Sequence, residues 1–267
     1  MGTHSELPAA QNWKLTLAYD GTDFFGWQVQ PDRVTIQGKL ADAIERVTGE
    51  RVLPQGSGRT DAGVHAQGQV ASFALNAPIP AENLTRALNR TLPESIRVLR
   101  AEPAPSEFHA RHSVIAKTYE YRIFRGQICP PWTARYAWAL HWPLDPGRLQ
   151  TAAQTILGTH DFTSFAASDP DLAAREAGHD PAPPGREGNV RSVFASEWSE
   201  EGDLLLYHVR GNGFLHHMVR NLVGTFVDVG RGHIEPAEVN RVLEARSRSA
   251  AGATAPARAL FLVSVEY

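Results

Sequence analysis

The chain has 267 residues, and its 42% hydrophobic and 21% charged content is typical of a folded globular protein, which excludes wholesale disorder. The formal net charge of −3 gives no indication of a nucleic-acid partner, and the single cysteine, Cys129, excludes an intrachain disulfide and favours a reducing compartment. No run of about 18 apolar residues occurs, so no membrane partner is expected and the protein is predicted to be cytoplasmic.

The first half of the chain has the pattern of a βαββαβ unit, the order of elements in the ferredoxin-like fold. Alternating apolar residues indicate strands, and apolar residues three and four positions apart indicate helices. The predicted elements are a strand over 13–21, a helix over 35–49, strands over 51–55 and 68–75, a helix over 81–92 and a strand over 96–102. Residues 1–12 are predicted to form a flexible tail.

The second half repeats this order with additions. The predicted elements are a strand over 113–126, a helix over 146–158, a hairpin over 190–198 and 203–211, helices over 214–230 and 236–246, and a strand over 259–267. Residues 166–189, rich in Pro, Gly and charge, are predicted to be a flexible insertion. We therefore predict an α+β fold of two ferredoxin-like units with mostly antiparallel sheets, over 13–105 and 106–267, with an active-site cleft between them.

The segment GSGRTDAGVHAQGQV, residues 56–70, places one carboxylate, Asp61, among four glycines. It joins two predicted strands and lacks the G-x-x-x-x-G-K-[ST] spacing, which disfavours a phosphate-binding loop at a helix N-terminus. The glycines permit a sharp turn and the close approach of a bulky substrate. The spacing alone leaves two interpretations of Asp61 open, a turn cap and a catalytic nucleophile or general base.

Four segments together resemble the tRNA pseudouridine synthase A family. They are GRTDAGVHA (58–66), FHARHS (108–113), YDGTDFFGWQ (19–28) and FLHHMVRNLVG (214–224), and the resemblance extends from about residue 13 to Tyr267. It implies an isomerase that needs no cofactor and that converts uridine to pseudouridine at positions 38, 39 and 40 in the anticodon stem-loop of tRNA. It also implies a homodimer. The acidic 166–189 segment is longer than is typical of this family.

The resemblance implies a role for each of five residues. Asp61 is the expected nucleophile, attacking either C1′ of the ribose or C6 of uracil. Arg59 is expected to hold the flipped nucleotide, Tyr119 to stack on uracil, Arg220 to keep Asp61 ionised, and Leu260 to line the uracil pocket. Each of the last four also has an ordinary interpretation. Arg59 can be a solvated cation, Tyr119 a strand aromatic and Leu260 a core leucine. Arg220 can bind phosphate or form a surface salt bridge.

Basic residues around the strand 113–126 suggest a contact with the RNA backbone. The predicted basic strip consists of Arg111, Lys117, Arg122 and Arg125. No metal site is predicted at the adjacent pair His216 and His217, because neighbouring residues of a helix point about 100° apart. No role is assigned to His65.

Two other functions compete with the enzyme. A non-catalytic RNA-binding module of ferredoxin-like fold is one alternative, although the sequence lacks the K/R-G-F/Y-G/A-F-V-x-F/Y run of such modules. A metal hydrolase that uses the histidines is the other.

Overall fold

A computed structural model describes residues 10–167 and 188–267 of the chain. The chain divides into two compact units, Met1–Val114 and Ile115–Tyr267. The predicted flexible tail and the predicted flexible insertion lie outside the described residues except at their edges, where Gln11 and Asn12 belong to the first strand.

The first unit has the ferredoxin-like order of elements. It consists of β1 (Gln11–Tyr19), α1 (Ile36–Thr48), β2 (Gln55–Gly56), β3 (His65–Leu75), α2 (Ala81–Thr91) and β4 (Ile96–Ala104). The strands pair antiparallel in the order β4-β1-β3-β2. Strand β2 is shorter than the predicted strand 51–55 and begins only at the last residue of that range, Gln55. Pro54, which precedes it, has no N–H to donate to a sheet.

Local sequence signals account for the limits of helix α1. The Thr35 hydroxyl accepts a hydrogen bond from the Gly38 N–H at 3.2 Å and caps the N-terminus. Gly49 ends the helix in a left-handed conformation, with a φ of 75°, as predicted. Leu40 and Ile44 of this helix are fully buried in the core of the first unit.

The segment 105–114 belongs to the first unit, whereas the sequence suggested a boundary after Pro105. The Asn12 side-chain amide of β1 donates to the carbonyls of Pro105 and Phe108 at 2.7 and 2.9 Å. The Ala110 N–H donates to the Ser72 hydroxyl of β3 at 3.0 Å. These bonds tie the FHARHS segment to the first sheet.

The second unit contains a second βαββαβ core with insertions. Its elements are β5 (Ala116–Phe124), α3 (Pro131–Ala134), β6 (Trp138–Ala139), α4 (Pro146–Thr155), β7 (Gly158–Asp161), β8 (Val190–Glu201), β9 (Leu204–Gly211), α5 (Met218–Gly230), α6 (Glu238–Ala245) and β10 (Leu260–Glu266). The strands follow the order β10-β5-β9-β8-β7, and β6 pairs parallel with β5. The predicted α+β fold with two ferredoxin-like units is therefore confirmed.

Helix α5 begins four residues later than predicted. Residues 214–217 precede the helix, and His217 has a φ of 59°, in the left-handed region that a right-handed helix cannot include. The geometric reason given above against a metal at His216 and His217 is therefore wrong, because neither residue lies on the helix. No helix in the described part of the chain is long and apolar enough to cross a membrane.

A close backbone contact holds α5 against the segment that precedes β10. A Cβ atom placed on Gly224 would lie 1.7 Å from the carbonyl oxygen of Ala253, so only glycine fits there. Nearby, the buried side chain of Asn221 accepts hydrogen bonds from Thr254 and Arg248 at 2.7 and 3.1 Å. The segment is thus fixed along the first two turns of the helix.

We expect Gly224→Ala to lower the stability of the second unit by about 3 kcal/mol, because the new methyl group would overlap a backbone carbonyl. Thermal unfolding measures this loss as a fall in Tm of roughly 6–12 °C. The control is Gly38→Ala in α1, where the nearest atom to a new Cβ is the rotatable Thr35 hydroxyl at 3.1 Å. Equal Tm values for the two variants would contradict this account of the contact.

Candidate active site

The loop between β2 and β3, residues 57–64, presents Arg59 exposed and Asp61 half-buried. The Ser57 N–H donates to the Val70 carbonyl at 2.7 Å and closes the base of the loop. At the far end the Val64 N–H donates to the Asp61 carbonyl at 3.1 Å, which forms a tight turn over Asp61–Val64. Gly63 in this turn has a φ of 79°.

The segment 20–27, part of YDGTDFFGWQ, packs directly on this loop. The Trp27 N–H donates to the Thr60 carbonyl at 3.0 Å, and the Gly63 N–H donates to the Phe24 carbonyl at 3.3 Å. Gly26 has a φ of 82°, and a Cβ atom there would lie 2.5 Å from the Thr60 oxygen. Close backbone approach therefore explains this glycine, and the neighbour is another part of the chain.

Gly56, one of the four glycines around Asp61, also has a structural explanation. A Cβ atom at Gly56 would lie 2.5 Å from the indole ring of Trp27. The sequence interpretation, that the glycines of the motif admit a substrate, does not apply to this position, because its free space is filled by the tryptophan.

A buried polar network lies beneath the loop. The fully buried Gln69 side chain donates to the Gly58 carbonyl at 3.0 Å and accepts from the Ser57 hydroxyl at 2.7 Å. The Tyr19 hydroxyl lies 2.8 Å from the Thr60 hydroxyl. Burial raises the pKa of Tyr19 to about 12, so the phenol keeps its proton at neutral pH.

His65, which sequence reasoning left without a role, is a buried structural residue at the start of β3. Its Nδ1 accepts a hydrogen bond from the Gly21 N–H at 3.0 Å and lies 3.1 Å from the Asp20 carboxylate. A side chain so placed ties the end of the loop to the segment 20–27.

The other residues named by the resemblance belong to the second unit. Tyr119 on β5 is 7% exposed, and its ring contacts Phe214 edge to face with a centroid distance of 5.1 Å. Arg220 lies in the first turn of α5, where its Nε donates to the Ala255 carbonyl at 2.8 Å. Leu260 is 6% exposed and pairs with Tyr121 in the sheet.

Comparison with known proteins identifies the family. Residues 16–113 and 152–267 match the family described as tRNA pseudouridine synthase. The tRNA pseudouridine synthase A of Solibacter usitatus is 51% identical over 256 residues, which cover 95% of this chain and 98% of that protein. Its counterpart from Moorella thermoacetica is 43% identical over the same shares of both chains. The chain belongs to the tRNA pseudouridine synthase family.

The resemblance read from the sequence is thus confirmed over nearly the whole chain. Similarity to the solved archaeal box H/ACA sRNP Nop10–Cbf5 complex is weak, with a TM-score of 0.30 and 14% identity over 80% of this chain and 44% of that chain, and it supports no argument.

Two residues of the predicted basic strip lie on different faces of β5 in this synthase. Lys117 and Arg122 lie on opposite faces of the strand, because they are five residues apart in a regular register. Lys117 is 7% exposed and lies on the face of Tyr119. Arg122 and Arg125 are paired with Glu120 and Glu200, at 2.6 and 2.7 Å.

Arg111, the fourth residue of the predicted strip, is half-buried in the FHARHS turn of the first unit. In that turn the Nδ1 of His109 accepts hydrogen bonds from the backbone N–H groups of Arg111 and His112, at 3.1 and 3.3 Å. These bonds give His109 a structural role as the cap of the turn.

Ion pairs cover the face of the second sheet on which Arg122 lies. Glu120 accepts from Arg122 and also lies 2.9 Å from the His208 ring, and Arg210 makes two hydrogen bonds to Glu266 at 2.8 and 2.6 Å. The hydrogen bond from His208 lowers the pKa of Glu120, and the same bond raises the pKa of His208. Aromatic rings lie beside these charges, because the Arg122 guanidinium is 3.9 Å from the centroid of the Phe261 ring and that of Arg210 is 5.2 Å from the centroid of Phe194.

We expect His208 to stabilise the folded synthase in a pH-dependent way. Its pKa is raised on folding, so its contribution is complete below the unfolded pKa of about 6.5 and is lost as pH rises through the folded value. In urea unfolding between about pH 5 and 9, the deficit of His208→Gln relative to wild type is expected to be largest at the acidic end and to shrink as pH rises. The exposed His141→Gln is the control, and a deficit that grows with pH would contradict the assignment.

Proposed function

We propose that this synthase isomerises uridine to pseudouridine in the anticodon stem-loop of tRNA, with Asp61 as the nucleophile. The observation that carries the proposal is the half-buried Asp61 carboxylate, held on a loop whose backbone is bonded to β3 at one end and to the segment 20–27 along its length. A carboxylate fixed in this way can attack an electron-poor carbon with little reorganisation, as carboxylates do in retaining glycosidases.

The reaction exchanges one bond of the nucleoside for another. The N1–C1′ bond breaks, the uracil rotates, and a C5–C1′ bond forms; C5 then loses its hydrogen as a proton, and N1 gains a proton. Oxidation state and composition are unchanged, so the proposal requires no cofactor. Attack of the Asp61 carboxylate on C1′ and its addition to C6 of uracil both satisfy this balance.

The remaining roles follow from the family resemblance and from where each side chain lies. Arg59 is exposed beside the nucleophile, and we assign it to the displaced nucleotide, whose extrusion from a stack costs a few kcal/mol. Tyr119 is assigned to stacking on uracil, and Leu260 to the wall of the uracil pocket. Arg220 is assigned to pairing with the Asp61 carboxylate, the role that the resemblance implies.

The proposal is tested by measuring the release of tritium from C5 of uracil in an unmodified tRNA transcript. Wild-type protein should release tritium in the presence and in the absence of a chelator. Asp61→Asn should release none while binding the same tRNA with an unchanged Kd, because it removes the nucleophilic oxygen and keeps the shape of the side chain. Asp42→Asn, the same change at an exposed position of α1, is the control and should retain full activity.

Three results would each overturn a different part of the proposal. Turnover by Asp61→Asn removes the nucleophile assignment. Activity that chelator abolishes indicates a required metal. Tight tRNA binding by the wild type without any tritium release favours the non-catalytic RNA-binding module.

We also propose that the synthase acts in the cytoplasm as a homodimer, as the family resemblance implies. Sedimentation velocity at micromolar concentration should then give a mass of twice 29.3 kDa. A single species at the mass of one chain would exclude the dimer under those conditions.

A further inference from the structure

The orientation of the Gln69 side-chain amide is fixed by its neighbours. Its Oε1 faces two donors, the Ser57 hydroxyl at 2.7 Å and the Val70 N–H at 3.1 Å. Its Nε2 faces the Gly58 carbonyl at 3.0 Å and the Tyr19 hydroxyl at 3.4 Å. Exchanging the oxygen and nitrogen would place two oxygens against each other at Gly58 and two donors against each other at Val70.

The orientation of the Gln69 amide determines which residue is the donor in the hydrogen bond between Tyr19 and Thr60. Because Gln69 presents N–H to Tyr19, the phenol oxygen can only accept on that side. The phenol keeps its proton, and Thr60 Oγ1, at 2.8 Å, is its one acceptor among the hydrogen bonds of the described residues. The chain of donors therefore runs from Gln69 to Tyr19 and from Tyr19 to Thr60.

Thr60 is the residue immediately before the proposed nucleophile, and hydrogen bonds hold both its side chain and its backbone carbonyl. Its side chain accepts from Tyr19, and its carbonyl accepts from the Trp27 N–H at 3.0 Å. That carbonyl is part of the peptide bond to Asp61. With Thr60 6% exposed and Tyr19 4% exposed, water competes little for these bonds.

We propose that Gln69, Tyr19 and Thr60 form a directional hydrogen-bond chain that positions Asp61 for attack. The three are positioning residues, because they act on the substrate only through the Asp61 peptide. The proposal rests on the role of Asp61 proposed above. A displacement of about 1 Å in a reacting group can cost about 100-fold in rate, so a network that fixes this peptide affects turnover more than tRNA binding.

The test separates kcat from KM in single variants of Thr60 and Tyr19. Thr60→Val removes the acceptor at nearly constant volume, Thr60→Ser retains it, and Tyr19→Phe removes the donor. We expect Thr60→Val and Tyr19→Phe each to lower kcat for tritium release at least about tenfold, with the KM for tRNA within about threefold of wild type. Thr60→Ser should restore kcat to within about threefold, and the Thr60→Val, Tyr19→Phe double variant should be no worse than the poorer single variant.

The second unit supplies a matched control. There the buried Tyr207 hydroxyl bonds the Ser196 hydroxyl at 2.8 Å, a bond of the same type and length as Tyr19 to Thr60. Tyr207→Phe is expected to lower Tm by an amount similar to Tyr19→Phe and to leave kcat unchanged. A wild-type kcat in Thr60→Val or in Tyr19→Phe, or an equal loss of kcat in Tyr207→Phe, would overturn the positioning role.

Asp61→Asn is assayed beside these variants, so that failure of this inference and failure of the nucleophile can be told apart. An inactive Asp61→Asn with a fully active Thr60→Val overturns the hydrogen-bond chain alone. An active Asp61→Asn overturns the nucleophile, whatever Thr60→Val does.

Discussion

The contact between two stretches of backbone, 20–27 and 57–64, is the constraint on which the proposed active site depends. Two glycines make it possible. A Cβ atom at Gly21 would lie 1.9 Å from the Val64 carbonyl oxygen, and one at Gly26 would lie 2.5 Å from that of Thr60. Because the segments touch through main-chain atoms, hydrogen bonds from backbone N–H groups can hold the Asp61 loop. Such bonds do not change with side-chain rotamers, so they suit a residue that must be placed accurately.

The second unit also contains a close backbone contact that depends on a glycine. Gly224 lets α5 approach the carbonyl of Ala253, and two residues further on the backbone of Ala255 exchanges hydrogen bonds with Arg220. The Arg220 carbonyl accepts from the Ala255 N–H at 3.1 Å, and its side chain donates to the Ala255 carbonyl at 2.8 Å. A long and flexible side chain is thereby held at its guanidinium. In both units, then, a residue proposed to act on the substrate stands next to a glycine-dependent backbone contact.

The periodic parts of the fold could be predicted from the sequence. Features that depend on the conformation of one residue or on the register of one strand could not. Both βαββαβ cores follow from apolar spacing, which is a strong signal in long elements. The start of α5 was missed because the left-handed conformation of His217 interrupts an apolar pattern that continues through it. The division of the predicted basic strip was missed because spacing in the sequence alone did not account for the alternation of faces in β5, which separates Lys117 from Arg122. The short elements α3, β6 and β7 span too few residues for any period to be visible.

The site itself was predictable only as a motif, and the structure explains why the motif is long. Of GRTDAGVHA, only Arg59 and Asp61 have a proposed chemical role. Thr60, Val64 and His65 are buried, and the first and last of these bond to Tyr19 and Gly21 in the segment that YDGTDFFGWQ supplies. Sequence reasoning had no means to pair these two blocks, since they lie about 40 residues apart and share no periodicity. Their joint presence specifies a braced loop, and that loop carries both residues of the motif with a proposed chemical role, Arg59 and Asp61.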